Sequence, residues 1–195
     1  VQIVRTDQLL AEGFNDAALP AGWSTTIVAD PGTDPALEFV TSSEHETASP
    51  GEGYRYVSFN SWDCASGAEL RLVSPAISAA GRSNVAVRFA WFQDVRTGYD
   101  DEGMTVQWST NGTDWTSDAV FHPRKGASVG WTNATVWLPA AVAGQTNLQV
   151  GFLFHSQYGN NCYPDDVRIA ADADAAPPEE EPWVPYAYEE NFESD

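Results

Sequence analysis

Eight tryptophans in 195 residues are the first chemical feature of this chain. Trp62, Trp115 and Trp131 fall at loop or strand edges, as do Tyr99 and Tyr158. Exposed aromatic faces stack on sugar rings, so these three tryptophans are the candidates for a ligand platform. Trp23, Trp91 and Trp108 occupy strand positions that read as core. Cys64 and Cys162 are 98 positions apart and fit neither a CxxC redox pair nor a zinc knuckle. A disulfide is the heavier expectation for an exported protein, with two buried thiols as the alternative. Its premise is that the strands following each cysteine are neighbours; the bond would then contribute up to about 4.7 kcal/mol on the chain-entropy model. Asp100-Asp101-Glu102, with Asp94 nearby, is either a cation site or a solvated acidic loop, and the solvated loop weighs more. His45, His122 and His155 are scattered. His45-Glu46 does not continue into HExxH, and no GxSxG elbow occurs. The chain is therefore expected not to be an enzyme.

Nine basic against 28 acidic residues give a formal charge of −19. A phosphate backbone is bound by basic surface, so nucleic acid is excluded as the default partner. With 43% apolar and 12% aromatic residues, the composition supports a packed core. No run of 18 apolar residues is present, so no membrane-spanning helix is expected, and the opening VQIVRTDQLLAEG lacks a basic-then-apolar leader layout.

The elements that must position these residues read as β-strands. Val85, Val87, Phe89 and Trp91 share one face of the run 84–94, and Leu148, Val150, Phe152 and Phe154 share one face of 147–156. The opposite faces carry Ala90, Phe92 and Leu153, which predicts interior strands. Between them, 104–110 followed by Asn111-Gly112 signals a hairpin with a type I′ turn. Further strands are predicted at 24–29, 37–41, 54–60, 69–74, 119–122, 131–138 and 167–170. The expected fold is all-β: a two-layer antiparallel sandwich of the jelly-roll type, with a closed barrel as the alternative.

Residues 1–170 form the expected sandwich domain. Residues 171–185 hold five acidic residues and four prolines and read as an extended, self-repelling linker. Glu190-Asn191-Phe192 then echoes Glu12-Gly13-Phe14, as if a domain opening recurred. Residues 186–195, with Tyr188 and Phe192, are thus a candidate inter-subunit strand; an acidic tail that happens to contain Phe is the alternative.

The assembled residues carry a resemblance. Glu12-Gly13-Phe14 followed by Leu19-Pro20-Ala21-Gly22-Trp23 resembles the opening of MAM-like and cleaved-adhesin-like extracellular sandwich domains. Leu72-Val73-Ser74-Pro75-Ala76-Ile77, the Val106–Trp115 hairpin, and Gly151–Ser156 with Asp165-Asp166-Val167-Arg168-Ile169 are similar to that family's later segments, in order. Pro164 stands where the family has an apolar residue, and Cys64 and Cys162 do not match the cysteines of MAM domains. The resemblance therefore favours the bacterial or archaeal adhesin-like branch.

The resemblance implies a non-catalytic extracellular or cell-surface module, structural or adhesive, arranged in series with copies of itself or other domains. The alternative is a carbohydrate- or ligand-binding module appended to a secreted enzyme, with a glycan as partner. The family often binds calcium, and matching positions place the ligands at Glu12, Asp16, Asp165 and Asp166. Calcium takes six to eight oxygens, which carboxylates and loop carbonyls at a junction of first and last strands would supply.

Overall fold

A computed structural model describes residues 6–41 and 53–172 of the chain; His45, the linker from residue 173 onward, Tyr188 and Phe192 lie outside them. Eleven strands are present among the described residues: β1 (Thr6–Glu12), β2 (Ser24–Ala29), β3 (Leu37–Val40), β4 (Tyr56–Phe59), β5 (Glu69–Val73), β6 (Ser83–Gln93), β7 (Gly103–Ser109), β8 (Thr116–Pro123), β9 (Gly130–Trp137), β10 (Gln149–His155) and β11 (Pro164–Asp172). They form a four-stranded sheet, β1-β11-β6-β9, a five-stranded sheet, β2-β5-β10-β7-β8, and the pair β3-β4. Every strand pairing is antiparallel. The two larger sheets make the sandwich rather than the barrel.

Period-2 alternation builds the core. Val85, Val87, Phe89 and Trp91 from β6 meet Val150, Phe152 and Phe154 from β10, and Phe89 and Phe152 touch edge to face at 5.6 Å. Both strands are interior, as the apolar residues on their second faces require. On the far side of β6, Phe92 joins Tyr56, Tyr163 and the half-buried Trp131 in a smaller cluster. The pair β3-β4 therefore has work on both faces: Val57 and Phe59 enter the main core, while Tyr56 caps the smaller one.

Three sequence expectations change. Residues 6–12 form a strand that local pattern does not predict; β1 pairs with β11 from Thr6↔Asp172 to Glu12↔Val167. That pairing also extends β11 through Ala171 and Asp172, the first two residues of the expected linker. The Asn111-Gly112 connection is not a two-residue type I′ turn, since of the two only Gly112 has positive φ. Instead Asn111 Oδ1 accepts from the Thr113 and Asp114 N–H groups, at 2.9 and 2.8 Å, and caps a longer loop.

The expected disulfide is absent: Cys64 and Cys162 are both free and wholly buried. The strands that follow them, β5 and β11, lie in different sheets, so the premise of the bond fails. Cys64 Sγ donates to Asn60 Oδ1 (3.3 Å), and burial, with the charges of Asp63, Asp30 and Asp34, pushes its thiol above the ordinary value. Cys162 lies near Glu102, Arg124 and Asp94, and burial holds its thiol well above the usual range.

Candidate functional site

Four segments converge at one rim of the sandwich: a 3-10 turn after β4 (Ser61–Asp63), and the loops that follow β6, β8 and β10. Antiparallel strands bring alternate connections to the same end, so residues distant in sequence share a site. A hollow of about 670 Å³ lies there, lined by Trp62, Asp63, Val95, Arg96, Val129 and Asn161, with Asp94 and Asn160 at its base. That volume falls within the roughly 300–1,000 Å³ of small-ligand sites.

Trp62 is 50% exposed and Tyr158 59%, and their rings lie nearly parallel, 17° apart in plane with centroids 6.4 Å apart. Large aromatics left in water forgo the stabilisation of burial, and two of them stacked at one rim leave aromatic surface for a ligand with an apolar face. The Arg96 guanidinium stands 5.2 Å from the Trp62 ring centroid. Trp62 is anchored by its own N–H, which donates to Asn161 Oδ1 at 3.0 Å.

Beneath the platform runs a buried polar network. Glu102 is 0%, Arg124 1% and Asp94 4% exposed. Arg124 donates from Nε to Glu102 Oε2 at 2.5 Å and from Nη1 to Asp94 Oδ1. Glu102 Oε1 also accepts from Ser61 Oγ and from the Gly159 N–H (2.8 Å), while Asn160 Nδ2 donates to Asp94 Oδ2 at 2.8 Å. The chain of contacts ends at Arg96, which donates from Nη1 to Asn160 Oδ1. Burial works to raise the Asp94 carboxyl, but hydrogen bonds from Asn160 and the Arg96 N–H, with the charge of Arg124, outweigh it and hold Asp94 below its ordinary value. Burial likewise opposes the charge on Arg124, and its two carboxylate partners overcome that opposition and raise its pKa.

This network fixes the loop that carries Tyr158. Tyr158 adopts φ of 64°, a left-handed conformation costly for an aromatic residue, with its N–H on Ser156 Oγ at 3.1 Å. At the next position a Cβ would collide with the Glu102 carboxylate, so only glycine fits at Gly159.

The other sequence candidates divide. Trp115 is half-buried, with the Arg71 guanidinium 4.5 Å from its ring centroid and its ring against Gly151. Trp131 packs edge to face on Tyr56 and Phe92, both at 5.5 Å. Both are less exposed than Trp62. The acidic loop splits: Asp100 pairs on the surface with Lys125 (2.9 Å), whereas Glu102 and Asp94 are buried around Arg124. No spacing in the sequence points to Arg124, because its partners come from other loops.

For the calcium set, β1 does lie beside β11, which puts Glu12 opposite Val167 and next to the irregular stretch between Asp165 and Arg168. Glu12 Oε1, however, accepts the Phe14 N–H at 2.8 Å, and Asp16 is exposed. Among the described residues, no group of three or more His, Cys, Asp or Glu side chains is arranged to hold a metal ion.

His122, on β8, packs edge to face against Phe89 at 5.0 Å. Burial pushes its pKa below the usual value, with Asp118 opposing. The unfolded chain thus takes up this proton at a higher pH than the folded one, so stability is expected to fall as pH drops below about 6.5. Urea unfolding between pH 7 and pH 5 checks this; His122→Phe should show a smaller decline than the parent.

No family model matches the chain, and no curated protein matches it. Among solved structures, the K3 cleaved adhesin domain of Lys-gingipain from Porphyromonas gingivalis W83 is similar at 20% identity, over 85% of this chain and 99% of that one, with a TM-score of 0.55. The TmCBM61 structure in complex with β-1,4-galactotriose is similar at 15% identity, over 81% and 93%, with a TM-score of 0.52. A cyclase from Fischerella sp. TAU is similar at 14% identity, over 88% and 100%, with a TM-score of 0.57. These likenesses show the β-sandwich fold. Among the described residues no helix is long and apolar enough to cross a membrane.

Proposed function

We propose that the chain is a non-catalytic extracellular adhesive module that binds a carbohydrate chain in the hollow beside Trp62. The observation that carries this reading is the exposed, near-parallel Trp62–Tyr158 pair, on two segments tied through Ser61 and Gly159 to the Glu102–Arg124–Asp94 network. A site that binds without reacting needs a preorganised platform and hydrogen-bonding groups, and the hollow has both. Similarity in fold to an adhesin domain and to a galactotriose-bound module is consistent with it.

Trp62→Ala is expected to weaken glycan binding by at least about 2 kcal/mol, roughly thirtyfold, because a central aromatic contact is lost. Calorimetric titration with the glycan found by array screening measures it; unchanged affinity would remove the hollow from consideration.

A second reading, arrangement in series by strand addition, draws on β2. This strand borders its sheet, pairs only with β5 among the described residues, carries no charge, and leaves Ile27 and Val28 exposed. Natural edges are ordinarily blunted by charge or proline, so β2 is a surface suited to an added strand. Residues 186–195 of a neighbouring copy, through Tyr188 and Phe192, are the proposed occupant. Size measurement with and without those residues tests it, and an identical monomer in both forms speaks against it.

A further inference from the structure

Resting on the carbohydrate reading of the hollow, we infer that its ligand is a neutral glycan, with Asp63 and Arg96 as the pair that reads its hydroxyl groups beside Trp62. Arg96 commits one N–H to Asn160 Oδ1 and forms no ion pair among the described residues, which leaves further guanidinium donors at the hollow. Asn161 Oδ1 accepts the Trp62 backbone N–H, which leaves Asn161 Nδ2 as a donor. Asp63, also lining the hollow, is an exposed carboxylate whose two oxygens only accept. Donors and an acceptor thus line the same hollow as the half-exposed Trp62 ring. A sugar hydroxyl donates and accepts, and a ring of them around an apolar face satisfies all three elements together.

Charge narrows the class. Arg124 offsets only one of the two buried carboxylates, Asp94 and Glu102, so negative charge remains beneath the hollow, while Arg96 and Asp63 are the cation and the exposed anion of its wall among the described residues. A carboxylated or sulfated glycan would gain Arg96 but meet Asp63, and would approach a chain of formal charge −19. A cationic ligand would gain Asp63 and meet Arg96. A neutral polyhydroxylated chain meets neither penalty.

The test is binding of the full chain to neutral oligosaccharides (xylo-, gluco-, manno- and galacto-series) and to acidic ones (oligogalacturonates, heparin fragments), followed by tryptophan fluorescence and calorimetry. The expected result is binding of at least one neutral series and none of the acidic ones. Raising salt from about 50 mM to about 500 mM should change affinity by less than about twofold. Asp63→Ala and Arg96→Ala should each weaken it by about tenfold or more, and Arg96→Lys, which keeps charge but loses the fork, should not fully restore it. Circular dichroism confirms that each variant is folded. Tighter binding of acidic than neutral series, or unchanged affinity in both Asp63→Ala and Arg96→Ala while Trp62→Ala abolishes binding, overturns the inference and leaves the carbohydrate reading standing. Binding of neither class overturns both.

Discussion

Replacing Arg124 with methionine is expected to destabilise the protein by about 3–5 kcal/mol. Methionine fills much of the same volume, so the loss is electrostatic. Glu102 and Asp94 remain 0% and 4% exposed with no cation between them. Glu102 keeps hydrogen bonds from Ser61 Oγ and the Gly159 N–H, which do not replace a positive charge. The pH dependence identifies the cause. In the parent protein Asp94 is held below its ordinary pKa, so its contribution is present above about pH 4 and fades as pH falls through its folded value. In the variant Asp94 loses a charge that holds its carboxyl down, so it takes up a proton at higher pH than in the parent and the deficit should shrink from pH 7 toward pH 5. Urea unfolding at both pH values measures it. A deficit below about 1 kcal/mol, or one independent of pH, would show that the network contributes little to the fold.

Phe152→Ala should cost a similar amount, about 3–5 kcal/mol, through a different mechanism. Phe152 is wholly buried in the middle of β10, packed near-parallel on Trp23 at 6.4 Å and edge to face on Phe89 at 5.6 Å. It joins the two sheets, and a cavity between two rigid layers collapses poorly. Its deficit should be insensitive to pH, unlike that of the Arg124 variant. Trp62→Ala, at an exposed position, should alter stability by no more than about 0.5 kcal/mol. Thermal or urea unfolding of the three variants therefore separates core, network and binding surface; a small deficit for Phe152→Ala would place the sandwich's cohesion elsewhere.

The strands are readable because alternation in one segment does not depend on the rest of the chain. Val85 to Trp91 and Val150 to Phe154 announce their buried faces by spacing alone, and the apolar second faces of both runs announce interior positions. β1 is less visible: Thr6–Glu12 pairs along one edge only, and Asp7, Gln8 and Leu9 show no clean alternation. The disulfide expectation fails because sequence separation carries no information about which sheet a strand joins. Trp62 is legible as an edge aromatic. Its companions are harder: the pairing of Glu102 with Arg124, and of Asp94 with Asn160, crosses 22 and 66 positions and is produced by the converging loops. The partial burial of Trp115 and Trp131 likewise comes from neighbours, Gly151 and Arg71 for one and Tyr56 and Phe92 for the other, that no local pattern reveals.

The pairing of β1 with β11 begins at Thr6 and Asp172, so the two ends of the folded unit leave from the same corner on adjacent antiparallel strands. Tension applied through those ends would load the ladder rungs one after another, since their hydrogen bonds run perpendicular to the strands. Such a joint peels open like a zip instead of shearing as a block. Under pull, this unit would act as an extensible link whose first act is to release its outermost strand, while the interlocked loops around Trp62 stay closed.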